Sequence, residues 1–583
     1  MKTFEKVTPY LKANIGRIMV GILILIAVDF AQLVIPKIIQ LAIDNIDKGL
    51  FTKMDLLKSG IVIFLLTIFM VFLRYFWRLT ILGTSWIVDR GMRQEYFDHL
   101  MSLSSNFFNR VKTGDLMAYA TSDLNAIRMF VGFGFVIGVD IILLMIASIT
   151  FMVQINLKLT LLAISPMPLL TIIIILLGKR IHKLFAEVQA SFSHFSGRVQ
   201  ESISGIRVVK AFVQEEAELE KISESAYDYV EKNIKLVKVQ GLFEPSFMLI
   251  IGTSMMIVLV FGGELTILGE ISKGEYIAFF QYLGMFVWPM IAIGWVVNMY
   301  QRGTASLKRM NNIFEEKIEI YDEPETDFSI KSIAGELEFR NLSFCYKEGT
   351  PQIFDDVSFH LPKGDTLAIV GRTGVGKSTL IDLLVRVYNP PKDSIFLDGQ
   401  ELYHVPLNTL RESIVLVPQD IFLFSDTIAG NIALGKPESS REAVENAAKI
   451  AQVYDDIVDF DQGFDTVVGE RGVTLSGGQK QRIAISRALL SDPNILVLDD
   501  SLSAVDTKTE SSILEHLVEM RRNKTTIIIA HRISSLQHAD KIIVLNEEKI
   551  AEMGNHQELL DKRGIYHDLY EKQQIEEKIN QCE

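Results

Sequence analysis

Six apolar segments, each long enough to cross a bilayer, constrain this chain more than any other feature. They run over Ile15–Pro36, Gly60–Leu82, Val131–Gln154, Leu157–Gly178, Phe247–Leu268 and Tyr276–Tyr300. A bilayer core takes about 20 apolar residues per helix. A backbone without water must close its own hydrogen bonds, so each segment reads as a membrane helix. Several carry one polar interruption, but six in a row, with none comparable after residue 300, make a buried soluble core a poor account of the set. The remainder is different: 22% of the 583 residues are charged although 49% are hydrophobic, and the mean hydropathy is only +0.26. That mixture implies a membrane part and a water-soluble part in one chain.

Lysine and arginine set the expected orientation. The loop from Gly83 to Phe130 carries Arg90, Arg93, Arg110, Lys112 and Arg128. The loop from Lys179 to Pro245 carries Lys179, Arg180, Lys183, Arg198, Arg207 and Lys210. The opposite connections are short and hold few basic residues. Both long loops and both termini are therefore expected in the cytoplasm, with the chain in the cell (plasma or inner) membrane. The helices are expected to continue beyond the bilayer and turn at short crossing helices. Before the first span, Phe4, Val7, Tyr10 and Leu11 alternate with Lys2, Lys6 and Lys12, which predicts a short amphipathic helix on the inner membrane surface. The apolar run from Ile15 is too long for a cleavable leader. A net charge of −13 argues against a nucleic-acid partner. Cys345 and Cys582 are far apart and read as two free thiols.

The soluble part begins after a polar stretch around Tyr321–Ser332. The expected division is a membrane domain over 1–320, a linker over 321–335 and a second domain over 336–583. Short apolar strands at Leu367–Val370, Ile495–Leu498 and Thr526–Ala530, with a helix at Ser378–Val387, predict a mostly parallel α/β sheet. The segment from Gly371 to Thr379, with Thr373, Gly374, Gly376, Lys377 and Ser378, matches a P-loop between a strand and a helix. The glycines let backbone N–H groups approach phosphate oxygens, and the helix N-terminus adds positive potential. Lys377 is placed to reach the outer phosphates, and the Ser378 hydroxyl to ligate Mg²⁺. Downstream, Leu496, Val497 and Leu498 run into Asp499, the apolar-strand-to-carboxylate pattern that helps hold Mg²⁺. Between these lie Leu475, Ser476, Gly477, Gly478 and Gln479, opening a helix near Lys480: a second phosphate-binding surface. One nucleotide does not need two such surfaces in one chain, so this one reads as covering a nucleotide held by a different chain.

With these residues the chain resembles the ABC exporters, and the resemblance runs nearly end to end. It implies a six-helix membrane bundle fused to a P-loop α/β ATPase domain, with ATP and Mg²⁺ as cofactors. Leu475–Gln479 resembles the family's signature motif. Gln419 resembles the Q-loop glutamine that senses Mg²⁺, Tyr346 the aromatic that stacks on adenine, and Glu470-Arg471-Gly472 the X-loop. Asp506, in Ser503–Asp506, resembles the D-loop aspartate, and His531 the switch histidine at the γ-phosphate. Phe107–Asp123 and Gly205–Glu216 resemble the two cytosolic loops with coupling helices.

One residue departs from the pattern. The family's catalytic glutamate directly after the strand-end carboxylate is replaced here by Asp500, which follows Asp499 and is shorter by about 1.5 Å. A misplacement of about 1 Å can cost on the order of a hundredfold in rate, so hydrolysis at this site is expected to be slow while binding survives. The signature residues are intact. This combination resembles the degenerate-site subunit of heterodimeric multidrug ABC exporters and favours a second half-transporter as partner over a homodimer. For the transport path, Asp29 and Asp140 are ionisable residues within spans, which face protein or a cavity. Gln281, Met285, Trp288 and Trp295 recur at helical spacing in the last span and predict one stripe suited to flat amphipathic small molecules. Ordinary packing accounts for such a stripe as well. A lipid flippase of the same architecture and a non-transporting ATP-gated regulator are the competing functions.

Overall fold

The computed structural model describes residues 4–347, 349–469, 475–530 and 536–582. The chain forms two compact units, Met1–Leu100 with Thr113–Glu315, and Met101–Lys112 with Glu316–Glu583.

In the first unit, five helical runs are long and apolar enough to span a membrane: Ile15–Asp47, Lys53–Ser102, Thr113–Ile155, Glu215–Ile267 and Lys273–Phe314. The remaining expected span is divided into Leu157–Ile164 and Met167–Ser204. Pro166 stands at the break, where it cannot donate to the carbonyl one turn earlier and its ring crowds that turn. The helices overrun the apolar segments, as expected, and the two long loops turn at the short helices Ser105–Arg110 and Ile206–Ala211.

The expected N-terminal helix forms over Thr8–Ala13 and is docked on protein along one side. Val7 is fully buried, Lys6 pairs with Glu95 at 2.6 Å, and the Tyr10 hydroxyl donates to Glu95 at 3.1 Å. A side chain at Gly91 would collide with the Tyr10 ring at 2.2 Å, so this glycine makes the docking possible. Periodicity alone does not say which of these side chains meet protein.

The second unit holds two sheets. Strands β1 (Leu337–Phe344), β2 (Phe354–Leu361), β4 (Ile395–Leu397) and β5 (Gln400–Glu401) form an antiparallel sheet in the order β2-β1-β4-β5. The larger sheet runs β10-β9-β3-β8-β7-β6, from β3 (Thr366–Gly371), β6 (Ile414–Val417), β7 (Ile495–Asp499), β8 (Thr525–Ile529), β9 (Lys541–Asn546) and β10 (Lys549–Gly554). Its first five in chain order are parallel, and β10 returns antiparallel to β9. The apolar strands identified in the sequence are the centre of this sheet. Side chains alternate between faces, so Leu367, Ile369, Ile495, Val497, Ile527 and Ile529 enter one core. Ala368, Val370, Leu496, Leu498 and Ile528 enter the core on the opposite face. Burial on both faces explains the unbroken apolar runs. The antiparallel sheet was not anticipated.

Residues 321–335 lie against this unit. Thr326 Oγ1 donates to the Tyr403 carbonyl at 3.0 Å, the Asp327 amide to the His404 carbonyl at 2.8 Å, and Ile333 is buried.

Candidate functional site

The P-loop leaves the end of β3 and enters the helix Lys377–Leu384. Gly376 caps that helix in the left-handed region, φ 98°, and a Cβ there would meet Ile353 at 2.7 Å, so only glycine fits. Lys377 is buried, and its ammonium donates back to the Gly371 carbonyl at 2.8 Å and the Arg372 carbonyl at 3.1 Å. Burial lowers the pKa of this amine, opposed by the charges of Asp499 and Asp500. A bound phosphate would give the ammonium a stronger partner than these carbonyls.

Tyr346, Thr373, Gly374, Gly376, Lys377, Ser378, Thr379, Gln419, Asp499 and Asp500 line one cleft of about 250 Å³. The sheet explains the convergence: β3 and β7 flank β8 and deliver their C-terminal ends to the same edge, the usual place for a ligand in an open parallel sheet. The Gln419 amide donates to Asp500 Oδ2 at 3.2 Å. Asp500 sits at φ 46°, a left-handed position that aspartate tolerates better than most residues, and its amide donates to the Ile529 carbonyl at 2.9 Å. Ser378, Gln419 and Asp499 offer oxygen donors, the chemistry a hard dication takes. Among the described residues no cluster of three or more His, Cys, Asp or Glu side chains could hold a metal alone. A cation in this cleft fits Mg²⁺ completed by phosphate and water oxygens. Sequence reasoning missed Asp382, one turn into the P-loop helix. Burial and the nearby Asp499 charge push its carboxyl up to about 6. An isolated aspartate in a helix gives no sign of that.

Ser476, Gly477, Gly478 and Gln479 stand outside this cleft, at the start of the helix Gly477–Ser491. Ser476 is its N-cap: Ser476 Oγ accepts from the Gln479 amide at 3.2 Å, and Gln479 Oε1 accepts from the Ser476 amide at 3.0 Å. Ser476 and Gly477 remain exposed. Gly478 is required by close packing, since a Cβ would lie 2.9 Å from the Ala504 carbonyl oxygen. Gln481 fastens the same segment, accepting from the Ala504 amide at 2.9 Å and donating to Ser503 Oγ at 3.2 Å. Asp506 caps the helix Thr507–Met520 by accepting from the Thr509 amide at 3.0 Å. That backbone hydrogen bond holds its carboxyl below the usual carboxylate range. His531 and Glu470-Arg471-Gly472 lie outside the described residues, as does the side chain of Cys582; Cys345 is a free thiol.

In the membrane unit, the expected single stripe is interrupted. The last run bends at Met285–Phe286, between the helices Lys273–Gly284 and Val287–Phe314. Pro289 cannot donate to the Met285 carbonyl, so the helical spacing from Gln281 to Trp295 does not describe one straight face. Gln281 and Met285 are half-buried, while Trp288 and Trp295 are exposed and meet edge to face at 5.6 Å. Asp29 is buried in the run Ile15–Asp47, and its Oδ2 has no hydrogen-bond partner among the described residues. Arg74, on a neighbouring run, donates to Gln32 at 2.8 Å. If the Trp288 and Trp295 pair meets substrate, Trp288→Ala is expected to change which compounds stimulate ATPase activity, with the basal rate within about twofold of normal. A stimulation profile unchanged across a drug panel, with only expression reduced, would assign Trp288 to packing.

The family descriptions "ABC transporter transmembrane region" and "ABC transporter" match residues 18–290 and 354–503. The chain is 41% identical to a probable multidrug resistance ABC transporter ATP-binding/permease protein of Bacillus subtilis (strain 168), covering 98% of this chain and 97% of that protein. It is 33% identical to an ATP-dependent lipid A-core flippase of Photorhabdus laumondii, covering 84% of each. A bacterial Atm1-family ABC exporter solved with ATP bound superposes with a TM-score of 0.79 at 29% identity, covering 96% of this chain and 99% of that one. Sequence likeness along almost the whole length, and a shared fold across both units, establish that this chain belongs to the ABC transporter family, as a multi-pass membrane exporter that couples ATP hydrolysis to transport.

Proposed function

We propose that the chain is one half of a heterodimeric exporter of amphipathic small molecules and supplies a slow nucleotide site and an intact signature surface. The observation that carries this reading is Asp500. It lines the cleft beside Lys377 and Asp499 and contacts Gln419, at the position where a glutamate would reach farther toward an attacking water. ATP is read as lying with its phosphates on the P-loop amides and Lys377, and its base on Tyr346. Ser378, Gln419 and Asp499 are the Mg²⁺ donors; the cation, when bound, neutralises phosphate charge. Asp500 orients water, less effectively than glutamate would. The exposed Ser476 and Gly477 face the nucleotide of a partner subunit, with the nucleotide-binding unit in the cytoplasm. The likeness to the Bacillus subtilis protein supports drug efflux. The likeness to the lipid A-core flippase favours lipid movement as the second reading.

The test is made on the chain with its co-purified partner in inside-out vesicles. ATP-dependent uptake of a labelled amphipathic drug is expected. Lys377→Ala should reduce labelling of this chain by a photoreactive ATP analogue to background. Unchanged labelling would remove the P-loop assignment. Lipid translocation without drug uptake would establish the flippase reading, and ATP turnover that moves neither would overturn the transport proposal.

A further inference from the structure

The short helix Ser105–Arg110 belongs by its contacts to the nucleotide-binding unit, although it continues the membrane run Lys53–Ser102 in sequence. Phe107 is buried, Ser104 Oγ donates to Glu319 at 2.6 Å, and Arg110 pairs with Glu316 at 3.4 Å. One contact from this helix leads to the nucleotide cleft. The Asn109 amide donates to the Tyr388 hydroxyl at 3.0 Å. The Tyr388 ring meets Tyr346 edge to face, with centroids 5.0 Å apart at 76°. The Tyr346 hydroxyl shares a 2.8 Å hydrogen bond with Thr379 Oγ1, beside Ser378 in the P-loop helix. Phe344 holds another part of Tyr346 edge to face at 5.4 Å and 76°.

Two edge-to-face neighbours and one hydrogen bond fix the plane of the Tyr346 ring, and such pairs have defined orientation preferences. A base stacked on Tyr346 therefore feels the position of Tyr388, and Tyr388 is tied by its hydroxyl to the loop. Hydrolysis ends occupancy at a fast site. At a slow site ATP leaves mainly by dissociation, so whatever positions the base platform controls how long the site stays filled.

We propose that the first cytosolic loop sets how tightly this chain holds ATP, with Asn109 and Tyr388 as positioning residues for the base platform Tyr346. This rests on the reading of Tyr346 as the residue that stacks on adenine. Neither Asn109 nor Tyr388 lines the cleft that holds Lys377 and Ser378, so their effect is confined to recognition of the base.

The experiment uses the full-length chain with its co-purified partner in lipid nanodiscs. A photoreactive ATP analogue labels this chain, and unlabelled ATP or inorganic triphosphate competes. Asn109→Ala and Tyr388→Phe are each expected to raise the ATP concentration for half-displacement about three- to tenfold, the usual worth of one hydrogen bond. The double variant should shift it no more than either single change, because both remove the same link. Competition by triphosphate should not move. Unchanged ATP competition in both single variants overturns the proposal. So does a double-variant shift equal to the product of the singles, or an equal shift for triphosphate, which marks general loosening. Tyr346→Ala separates the two layers: it should abolish the advantage of ATP over triphosphate. If it does not, the reading of Tyr346 itself fails. If it does while Asn109→Ala and Tyr388→Phe have no effect, only control by the loop fails.

Discussion

In the assembled transporter, Ser476→Arg is expected to lower ATPase activity about a hundredfold, the scale of losing an electrostatic contact made at the reacting phosphates. Asp500→Asn should change it by less than about twofold, because a site already slowed about a hundredfold by a 1 Å shortfall supplies little of the turnover. The asymmetry follows from where the two residues stand. Asp500 lines this chain's own cleft, whereas Ser476 is exposed outside it. On the proposed reading Ser476 serves the partner's nucleotide, and that is the productive one. Ser476 also caps the helix Gly477–Ser491, so the arginine costs about 1 kcal/mol of local stability as well. Ser476→Asn retains an N-cap side chain and separates the effects: it should leave the melting temperature unchanged and still impair turnover. Single-substitution ATPase rates in the reconstituted complex decide the matter. A larger loss from Asp500→Asn than from Ser476→Arg would remove the asymmetric model.

Asp500→Glu should have the opposite effect. Restoring the missing reach is expected to raise the ATPase rate of this chain, purified without a partner, by about a hundredfold. Residue 500 lies at φ 46°, where a longer side chain without aspartate's local tolerance costs on the order of 1 kcal/mol. That is well below the roughly 2.7 kcal/mol that a hundredfold in rate represents, so the gain should survive. The contact from Gln419 to Asp500 at 3.2 Å must lengthen or shift with the extra methylene. A second measurement therefore follows ATP affinity, which should change little. If the unaltered chain alone already turns over as fast as the glutamate variant, aspartate reaches the water after local adjustment and the slow-site reading is wrong.

Much of this protein was legible from sequence because its strongest signals are local. Apolar runs of about 20 residues read as membrane helices wherever they occur, since the constraint is backbone hydrogen bonding without water. The P-loop was legible because a left-handed, sterically tight position such as Gly376 admits only glycine, and glycine spacing is written in the chain. The buried strands were legible because burial on both faces removes polar residues altogether.

The tertiary structure decided what depends on partners distant in sequence. A polar stretch such as 321–335 reads as a linker, yet it docks through bonds to the backbone carbonyls of Tyr403 and His404, which any sequence possesses. The amphipathic N-terminal segment reads as a membrane-surface helix, and only the fold shows that Glu95 and the space above Gly91 also hold it to protein. The last span reads as one striped face, yet the missing donor of Pro289 bends it. Asn109 and Tyr388 carry no motif, and only the fold brings them within 3.0 Å of each other. Which segments are apolar enough to cross a membrane, where a P-loop pattern lies between strand and helix, and that an aspartate follows Asp499 are all written in the order of residues. Which surfaces meet, and how Tyr346 is held, was left to packing, because contact free energy depends on distance and orientation in space, and neither is encoded by position along the chain.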